Sequence, residues 1–527
     1  MSGPKSFSKQ GARENTSYNS WILLFVVIKT GLNLLAMPHF GFQRDELLYL
    51  VLGDHLDWGY NEIPPFIALL AKVTTTFFGT SLFSARIFSA IFSGLIVWFT
   101  GRTTVELGGG RFAILLACLA VTFSPAFAAS GYLFEPVVFD QFWWLLTAWL
   151  IVRYINTKAA KYLYFTGIVV GIAMLTKYTI AFFAIALILG LLCTPQGKIL
   201  WNRRVAEAFG LAMLIFLPNV IWEFVHHFPF FAQMRELQSS QLAGNTPGNF
   251  ITQQLLINFT WTILWLAGLG LILFSAHLRQ YRFLGLAYIF TFAFLMIMHG
   301  KDYYILGAYP MLFAAGGYGI EKWATNKSRF ITIALALALT LPNLFALPLA
   351  LPILPLDRTI GWFSFIYKNV PYFNFEAKWE DNKLHPISQN YGDMIGWDEM
   401  TQKVARVYDS LSPEQRRRTQ IYADNYGEAS SLHWFGKKYH LPEVICLNSS
   451  FSLWAPQKFD ADYIIYVDET GGNNIKKLQT GPDSWRKMDE ITNPLAIEKG
   501  AGIYLIAHPQ QGFIDNYRKA FARRQLE

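Results

Sequence analysis

The chain has 527 residues, of which 53% are hydrophobic, 17% are aromatic and only 15% are charged. Soluble domains carry about 25% charged residues, so this composition excludes an ordinary soluble protein and indicates that lipid covers much of its surface. The net charge of +8 does not indicate nucleic-acid binding, because the basic residues occur in short loops between apolar segments, as membrane topology requires. Cys446 is the one cysteine of the C-terminal third, so the sequence predicts no disulfide within that region.

Apolar segments of roughly the length of a membrane span recur along the first two thirds of the chain, since a span needs about 20 apolar residues. No small-residue cleavage site follows the first of them, so we interpret it as a retained span and not as a signal peptide. The segments are residues 19–38, 84–101, 112–131, 137–155, 162–176, 179–194, 205–224, 251–274, 283–299, 305–320 and 330–352. This pattern predicts a polytopic α-helical membrane domain over residues 1–355, with about eleven spans and an outer loop at 38–83.

Basic residues cluster in alternate loops, at positions 102–111, 153–161, 198–204, 279–282 and 322–329. The positive-inside rule makes these loops and the N-terminus cytoplasmic. The opposite loops carry most of the acidic residues and histidines between the spans. Eleven spans then place the C-terminal domain on the non-cytoplasmic side.

Residues 162–194 form an apolar stretch with basic residues at both ends. A single helix of that length would measure about 50 Å, which exceeds the roughly 30 Å core of a bilayer. Both ends are predicted to be cytoplasmic, so we expect two short helices that meet at Lys177. Such short hairpins occur where they line a cavity inside the protein.

Beyond about residue 356 the apolar runs become short and alternate with helical patterns, which predicts a small α/β domain over 356–527. One helical pattern is Trp397–Leu411, and Ser412-Pro413-Glu414 is a typical helix start. The predicted buried strands are Ile421–Ala423, Val444–Cys446, Tyr463–Val467 and Gly502–Ile506. The domain shows no phosphate-binding glycine pattern and no catalytic constellation, so we interpret it as a lid or an acceptor-docking domain.

The outer loop, residues 38–83, carries the most informative polar residues. Asp45 and Glu46 follow the first span directly, and a partly desolvated carboxylate there is suited to remove a proton from a hydroxyl. Tyr60 and Glu62 precede the double proline at 64–65, which fixes the backbone next to the glutamate. The alternative is that this loop is simply acidic and solvated.

Later loops and span ends add further candidates for a substrate cavity. Glu135 and Asp140 flank the start of the fourth span, and an ionisable group there is either interfacial or functional. Lys177 and Tyr178 lie at the hairpin tip, where the lysine either reaches the interface or binds an anion such as phosphate. The remaining candidates are His226, His227, Lys301, Tyr303 and Tyr304. A divalent metal ion bound by Glu62 and a histidine of the pair is left open as a cofactor.

Several motifs of this sequence resemble the family 39-type glycosyltransferases with the GT-C fold, which include bacterial aminoarabinose transferases of lipid A and protein O-mannosyltransferases. The order of the motifs carries the resemblance, which extends over nearly the whole chain. They are the Asp45-Glu46 pair, residues 59–65, 139–144, 175–179, 217–219 and 300–304 with 309–310, and residues 391–393 and 425–429 of the C-terminal domain.

The resemblance implies transfer of a sugar from a polyprenyl-phosphate donor on the outer face of the cell (inner) membrane. It implies Asp45 as the base and Lys177 as the contact of the lipid phosphate. Ile63 departs from the aminoarabinose transferases, which have lysine between the loop glutamate and the double proline. Another basic group, such as Arg44, Arg235 or Lys301, would then have to contact the phosphate.

The mechanism that follows is an inverting one, in which Asp45 takes a proton from an acceptor hydroxyl and the oxygen displaces the lipid phosphate. The acceptor is expected to be a glycolipid, a glycan or a protein. The leaving phosphate needs charge stabilisation more than protonation, which Lys177 with another cation or a metal would provide. The alternatives are a lipid or glycolipid flippase and a lipid-binding scaffold without catalysis. The sequence shows none of the repeated halves that transporters tend to have.

Overall fold

The computed structural model describes residues 7–242, 244–478 and 485–526. The chain divides into two compact units. The first, here called the membrane unit, comprises Met1–Met37, Arg86–Ile221 and Met234–Ile353; the second, the α/β unit, comprises Pro38–Ala85, Trp222–Gln233 and Leu354–Glu527. The division near residue 354 lies where the sequence predicts a domain boundary. The outer loop, however, belongs to the α/β unit, whereas the sequence predicts it as part of the membrane domain.

Every one of the eleven apolar segments contains a helix. Up to residue 353 the main helices beyond the outer loop are Phe7–Ala36, Leu82–Glu106, Arg111–Phe123, Pro125–Ala129, Pro136–Thr157, Lys161–Met174, Thr179–Leu192, Arg203–Val225, Pro229–Leu237, Pro247–Leu256, Thr262–Phe274, Arg282–Ile297, Tyr309–Ala324 and Arg329–Ala350. Among the described residues, five helices are long and apolar enough to cross a membrane, or up to seven if each bent helix pair is one span. The chain is thus a multi-pass membrane protein, and the count of eleven spans stays a prediction.

The two short helices that the sequence predicts on either side of Lys177 are present in the membrane unit. Helices Lys161–Met174 and Thr179–Leu192 have 14 residues each and are separated by a short break that contains Lys177. Fourteen residues extend only about 21 Å, so neither helix alone matches the thickness of a bilayer core. The break is held from a neighbouring helix, because the indole nitrogen of Trp143 donates a hydrogen bond of 3.0 Å to the hydroxyl of Thr176.

Two helices of the membrane unit approach each other through glycines. A Cβ atom on Gly268 would lie 2.0 Å from the carbonyl oxygen of Leu312, and one on Gly316 would lie 2.0 Å from that of Leu264. Only glycine therefore permits the close packing of Thr262–Phe274 on Tyr309–Ala324. Small residues at such contacts are typical of helix pairs in membranes, where packing replaces the hydrophobic effect as the driving force.

A five-stranded mixed sheet forms the centre of the α/β unit. The strands are β1 (Thr419–Ala423), β2 (Val444–Ile445), β3 (Tyr463–Asp468), β4 (Trp485–Glu490) and β5 (Gly502–Ala507), in the order β2-β1-β3-β5-β4. β1 is parallel to β2 and β3, whereas β5 is antiparallel to β3 and β4. The four predicted strands are confirmed. β4 was missed because it lies at an edge and its sequence, with Arg486, Lys487, Asp489 and Glu490, contains no apolar run.

The helices of the α/β unit include two within the outer loop, where the sequence predicts only a loop. They are Arg44–Leu52 and Phe66–Phe77, followed by Leu356–Asn369, Gln389–Gly392, Trp397–Asp409, Pro413–Arg417, Tyr426–Gly436, Asn473–Leu478 and Gln511–Leu526. The helix at 397 and the start at Ser412 are as predicted, and Ser412 forms a capping box with Gln415. One face of the sheet packs on the C-terminal helix through Ile464, Tyr466, Phe513 and Tyr517.

Candidate active site

Asp45 and Glu46 stand at the start of helix Arg44–Leu52, which places them in different surroundings. Glu46 is fully buried, and its carboxylate accepts a hydrogen bond of 3.0 Å from the backbone N–H of Gln43. The Gln43 side chain in turn accepts from the backbone N–H of Asp45 at 2.5 Å, which completes a capping box. Such reciprocal bonds satisfy the free N–H groups of a helix start. Glu46 therefore stabilises the helix, while the side chain of Asp45 remains 36% exposed.

The carboxylate of Asp45 is held by a residue of the C-terminal domain. The hydroxyl of Tyr426 donates a hydrogen bond of 2.6 Å to its Oδ1 atom. The guanidinium of Arg44 lies 5.4 Å from the centre of the Tyr426 ring, and its Nε atom lies 3.9 Å from the same Oδ1. The carboxylate of Asp45 is therefore both oriented by a hydrogen bond and partly exposed.

Arg44 has acidic neighbours within the α/β unit. Its backbone N–H donates to the carbonyl oxygen of Asp393 at 3.1 Å, and the charges of Asp393, Asp45 and Glu380 act on its guanidinium. Burial raises the pKa of Asp393 to about 7, although the charge of Arg44 acts in the opposite direction. These contacts give Arg44 carboxylates to neutralise, so they do not support its predicted role as a phosphate ligand.

Glu62 is fixed by a serine of the C-terminal domain. The hydroxyl of Ser450 donates to Oε2 at 2.6 Å, and the neighbouring Asn61 side chain donates to the Ser449 carbonyl oxygen at 3.0 Å. The Oε1 atom is buried and has no hydrogen-bond partner. Burial raises the pKa of Glu62 to about 7, against the opposing effect of the Ser450 bond. Pro65 occupies the N-cap of helix Phe66–Phe77, so the double proline marks a helix start directly after the glutamate.

Two of the predicted roles find no support in this geometry. Tyr60 is 1% exposed, and its hydroxyl donates to the carbonyl oxygen of His55 at 2.9 Å and accepts from the Asp57 backbone N–H at 3.0 Å. Tyr60 thus braces the loop through its hydroxyl. The ring of His226 stacks on Trp222. In the part of the chain that the structure describes, no three His, Cys, Asp or Glu side chains are arranged to hold a metal ion, so the Glu62–histidine site is unsupported.

In the membrane unit, Asp140 connects its own helix to the tip of the hairpin. It is 6% exposed, and its two carboxylate oxygens accept hydrogen bonds from the Trp144 indole at 3.0 Å and the Thr179 hydroxyl at 2.7 Å. Thr179 begins the second hairpin helix. Asp140 therefore orients the break that contains Lys177, and its charge acts on that lysine together with the charge of Glu135.

Lys177 lies among aromatic rings. Its Nζ atom is 4.5 Å from the centre of the Tyr304 ring and 5.4 Å from that of the Tyr303 ring. The Nζ atom of Lys301 is 6.0 Å from the Tyr303 ring centre. Ring faces attract ammonium groups within about 6 Å, so the tyrosines hold Lys177 without neutralising its charge. The structure thus brings together four residues that the sequence had singled out from two distant segments.

Tyr178 has a different position from Lys177. Its hydroxyl donates a hydrogen bond of 2.8 Å to the side-chain oxygen of Asn219. Two motifs of the resemblance, residues 175–179 and 217–219, therefore meet. The contact anchors the hairpin tip to helix Arg203–Val225, which supports a positioning role more than a substrate contact.

Sequence reasoning missed the contributions of the C-terminal domain to the surroundings of Asp45 and Glu62. Tyr426, Asp393 and Ser450 lie more than 340 positions in sequence from the loop residues that they contact. A signal was present, because Tyr426 and Asp393 lie within two of the motifs that carry the resemblance. Nothing in the sequence marked Ser450.

Comparison with known proteins gives partial matches in sequence and a nearly complete match in fold. A family model described as dolichyl-phosphate-mannose-protein mannosyltransferase matches residues 62–222. The lipid A galacturonosyltransferase RgtD of Rhizobium johnstonii is 25% identical over 186 residues, which are 35% of this chain and 39% of that protein. The sequence match thus spans less than half the length of this relative.

The solved structures extend the likeness to the whole fold. The structure of ArnT from Cupriavidus metallidurans bound to undecaprenyl phosphate aligns with a TM-score of 0.60 at 15% identity, over 94% of this chain and 99% of that one. The same protein in the apo state aligns with a TM-score of 0.60 at 14% identity. The chain therefore has a GT-C-like fold, and by its sequence matches it is similar to the glycosyltransferases of that fold.

Proposed function

We propose that this protein is an inverting glycosyltransferase that moves a sugar from a polyprenyl-phosphate donor to an acceptor hydroxyl. The observation that carries the proposal is the position of the Asp45 carboxylate, which is oriented by Tyr426 and partly exposed at a capped helix start. The chain that contains it has a GT-C-like fold. The proposal agrees with the names of the matched proteins, which describe transfer of mannose or galacturonate.

The base in the proposed reaction is Asp45. It takes the proton of the acceptor hydroxyl while the oxygen attacks the anomeric carbon of the donor sugar. The bond from this carbon to the phosphate oxygen breaks, and the configuration is inverted. The Tyr426 hydroxyl and the Arg44 guanidinium both approach Oδ1, so Oδ2 is the oxygen that takes the proton.

The cation in the proposed reaction is Lys177, which binds the phosphate of the lipid carrier. The leaving phosphate is anionic, so a fixed positive charge lowers the energy of the transition state. Lys177 is partly buried beside aromatic rings, and the lower local polarity strengthens its interaction with an anion. Lys301 provides a second positive charge that acts on the same group.

The donor class is supported by the relatives, since one solved structure contains undecaprenyl phosphate and the family model is named for dolichyl phosphate. The acceptor in the proposal is a glycolipid, a glycan or a protein. A divalent metal ion is not part of the proposed mechanism. The proposed location is the cell inner membrane, with the N-terminus in the cytoplasm and the C-terminal domain in the periplasm, as the basic loops indicate.

The test uses the purified protein in vesicles with radiolabelled polyprenyl-phosphate sugars and a panel of lipid and glycan acceptors. Transfer of label to an acceptor, with release of the lipid phosphate, is the expected result. Movement of the intact donor across the bilayer would indicate a flippase, and binding without either event would indicate a scaffold. Both of these outcomes contradict the proposal.

A further inference from the structure

One contact links the outer loop to the C-terminal domain at the candidate base itself. Tyr426 and Asp45 are 381 positions apart in sequence, and their side chains form a hydrogen bond of 2.6 Å. Hydrogen bonds to an ionised carboxylate are among the stronger ones in proteins. The C-terminal domain thus contacts the group that the proposed reaction depends on.

Tyr426 is held in place by the start of its own helix, Tyr426–Gly436. The side-chain oxygen of Asn425 accepts from the backbone N–H of Glu428 at 2.9 Å, and Glu428 accepts in return from the backbone N–H of Asn425 at 3.3 Å. Glu428 is fully buried. This capping box fixes the first turn of the helix, so the hydroxyl of Tyr426 has a defined position.

The two helix starts approach closely because of a glycine. A Cβ atom on Gly427 would lie 2.7 Å from Cγ of Arg44 and 3.0 Å from the Trp397 ring. The absence of a side chain lets Arg44 extend towards the ring of Tyr426, where its guanidinium lies 5.4 Å from the ring centre. The geometry of Asp45 therefore depends on a side chain, a ring contact and a glycine of the C-terminal domain.

We infer that Tyr426 is a positioning residue for Asp45, so that the C-terminal domain is part of the apparatus that prepares the base. The inference rests on the proposed function of Asp45. The hydroxyl holds Oδ1 and thereby directs Oδ2 to the acceptor. A lid or docking domain would need no such bond.

The first experiment compares Tyr426→Phe with the wild-type protein. Phenylalanine keeps the ring beside Arg44 and removes only the hydroxyl. We expect kcat to fall about 10-fold or more while KM for the donor stays within about twofold, since the donor phosphate is assigned to Lys177.

The matched control is Tyr517→Phe. Tyr517 is also buried in the α/β unit, and its hydroxyl donates at 2.5 Å to the carbonyl oxygen of Pro456, among residues of the sheet core. This variant should keep the wild-type kcat and KM. Equal losses of kcat in both variants, or a wild-type kcat in Tyr426→Phe when Asp45→Asn is inactive, would overturn the inference.

A second measurement does not depend on activity. Hydrogen–deuterium exchange of residues 43–52 should rise in Tyr426→Phe and stay unchanged in Tyr517→Phe. Unchanged exchange in Tyr426→Phe would show that the bond does not hold the loop, and would reject the inference even if no donor is ever turned over. Absence of turnover in the wild-type protein, with raised exchange in Tyr426→Phe, would reject the proposed function alone.

Discussion

Asp45 and Glu46 are adjacent acids that the fold uses in different ways. Side chains of neighbouring helical residues point about 100° apart, so at a helix start one of them can reach back to the cap while the other cannot. Glu46 occupies the capping position and is fully buried, whereas Asp45 points to Tyr426 and is partly exposed. Gln43 is not a usual N-cap residue, since the capping pattern has Ser or Thr at that position, so the sequence alone did not separate the two acids.

The first prediction concerns the different roles of Asp45 and Glu46. Asp45→Asn should lose at least about 100-fold in turnover, because removal of a general base typically costs 10²- to 10⁴-fold. Donor affinity should be retained, since an amide and a carboxylate are nearly the same size. Glu46→Gln should lower the thermal midpoint more than it lowers the turnover of the folded protein. Turnover, donor affinity and thermal stability are measured for both variants in parallel.

Either of two results would contradict this assignment. Full turnover in Asp45→Asn would reject Asp45 as the base. A larger loss in Glu46→Gln at unchanged stability would transfer the role to Glu46, against its buried position in the capping box.

The second prediction concerns Lys177. Lys177→Ala should weaken binding of the polyprenyl phosphate by roughly 10- to 100-fold, which corresponds to loss of a hydrogen bond to a charged group. Lys177→Arg should restore binding only in part, because a rigid guanidinium does not replace a compact ammonium. The fold should be intact, since Lys177 lies in the break between two helices. Binding is measured with the purified protein and labelled undecaprenyl phosphate.

The control for Lys177 is Lys161→Ala. The Nζ atom of Lys161 also lies over a tyrosine ring, at 5.4 Å from the centre of Tyr162, but at the other end of the first hairpin helix. We expect wild-type affinity in this variant. Unchanged donor affinity in Lys177→Ala would reduce Lys177 to an interfacial anchor.

At the scale of elements, the contact between helices Arg44–Leu52 and Tyr426–Gly436 depends on Gly427. Gly427→Ala would force Arg44 and Trp397 apart, and overpacking of this kind costs about 1–3 kcal/mol. We therefore predict a lower thermal midpoint together with a loss of turnover. Gly361→Ala is the matched control, because a Cβ there meets nothing within 4 Å and alanine favours a helix. Equal midpoints in the two variants would contradict the packing argument.

The elements themselves were largely predictable, for reasons that differ between the units. The length of the apolar segments predicts the helices of the membrane unit. The break at Lys177 is predicted because the segment 162–194 is too long for one span and has basic residues at both ends. Short apolar runs predict four strands, which are buried, but not the edge strand Trp485–Glu490. The sequence does not predict the helices Arg44–Leu52 and Phe66–Phe77, because the whole segment between the first two spans is interpreted as a loop.

In the whole molecule, each compact unit is assembled from segments that are distant in the sequence. The outer loop belongs with residues 354–527 in the α/β unit, although almost 270 residues separate them in the chain. Single polar side chains of the loop make contacts with these residues: the Asn61 amide donates to the Ser449 carbonyl oxygen at 3.0 Å, and the Asp54 carboxylate lies 3.1 Å from the His433 ring. Pairing of this kind leaves no periodic pattern in one sequence. The candidate site was therefore predictable in its loop and hairpin residues, but not in the residues that the C-terminal domain adds.

The proposed function requires the outer loop and the C-terminal domain to lie on the same side of the membrane. Between Lys327 and Glu380 the chain contains helix Arg329–Ala350, whose 22 residues extend about 33 Å. That length and its apolar composition suit one crossing, even with Pro342 and Pro348 inside the helix. The basic residues before it predict that Lys327 is cytoplasmic, so Glu380 should lie on the other side.

Reporter fusions after Lys327 and after Glu380 should accordingly report opposite sides of the membrane. A fusion after Lys198 serves as the control and should agree with the one at Lys327, because both residues lie in basic loops that are predicted to be cytoplasmic. The same side for Lys327 and Glu380 would reject the count of eleven spans. It would also require an even number of crossings before the α/β residues 356–527, and would place Tyr426 in the compartment opposite to the one in which the donor sugar is proposed to be transferred.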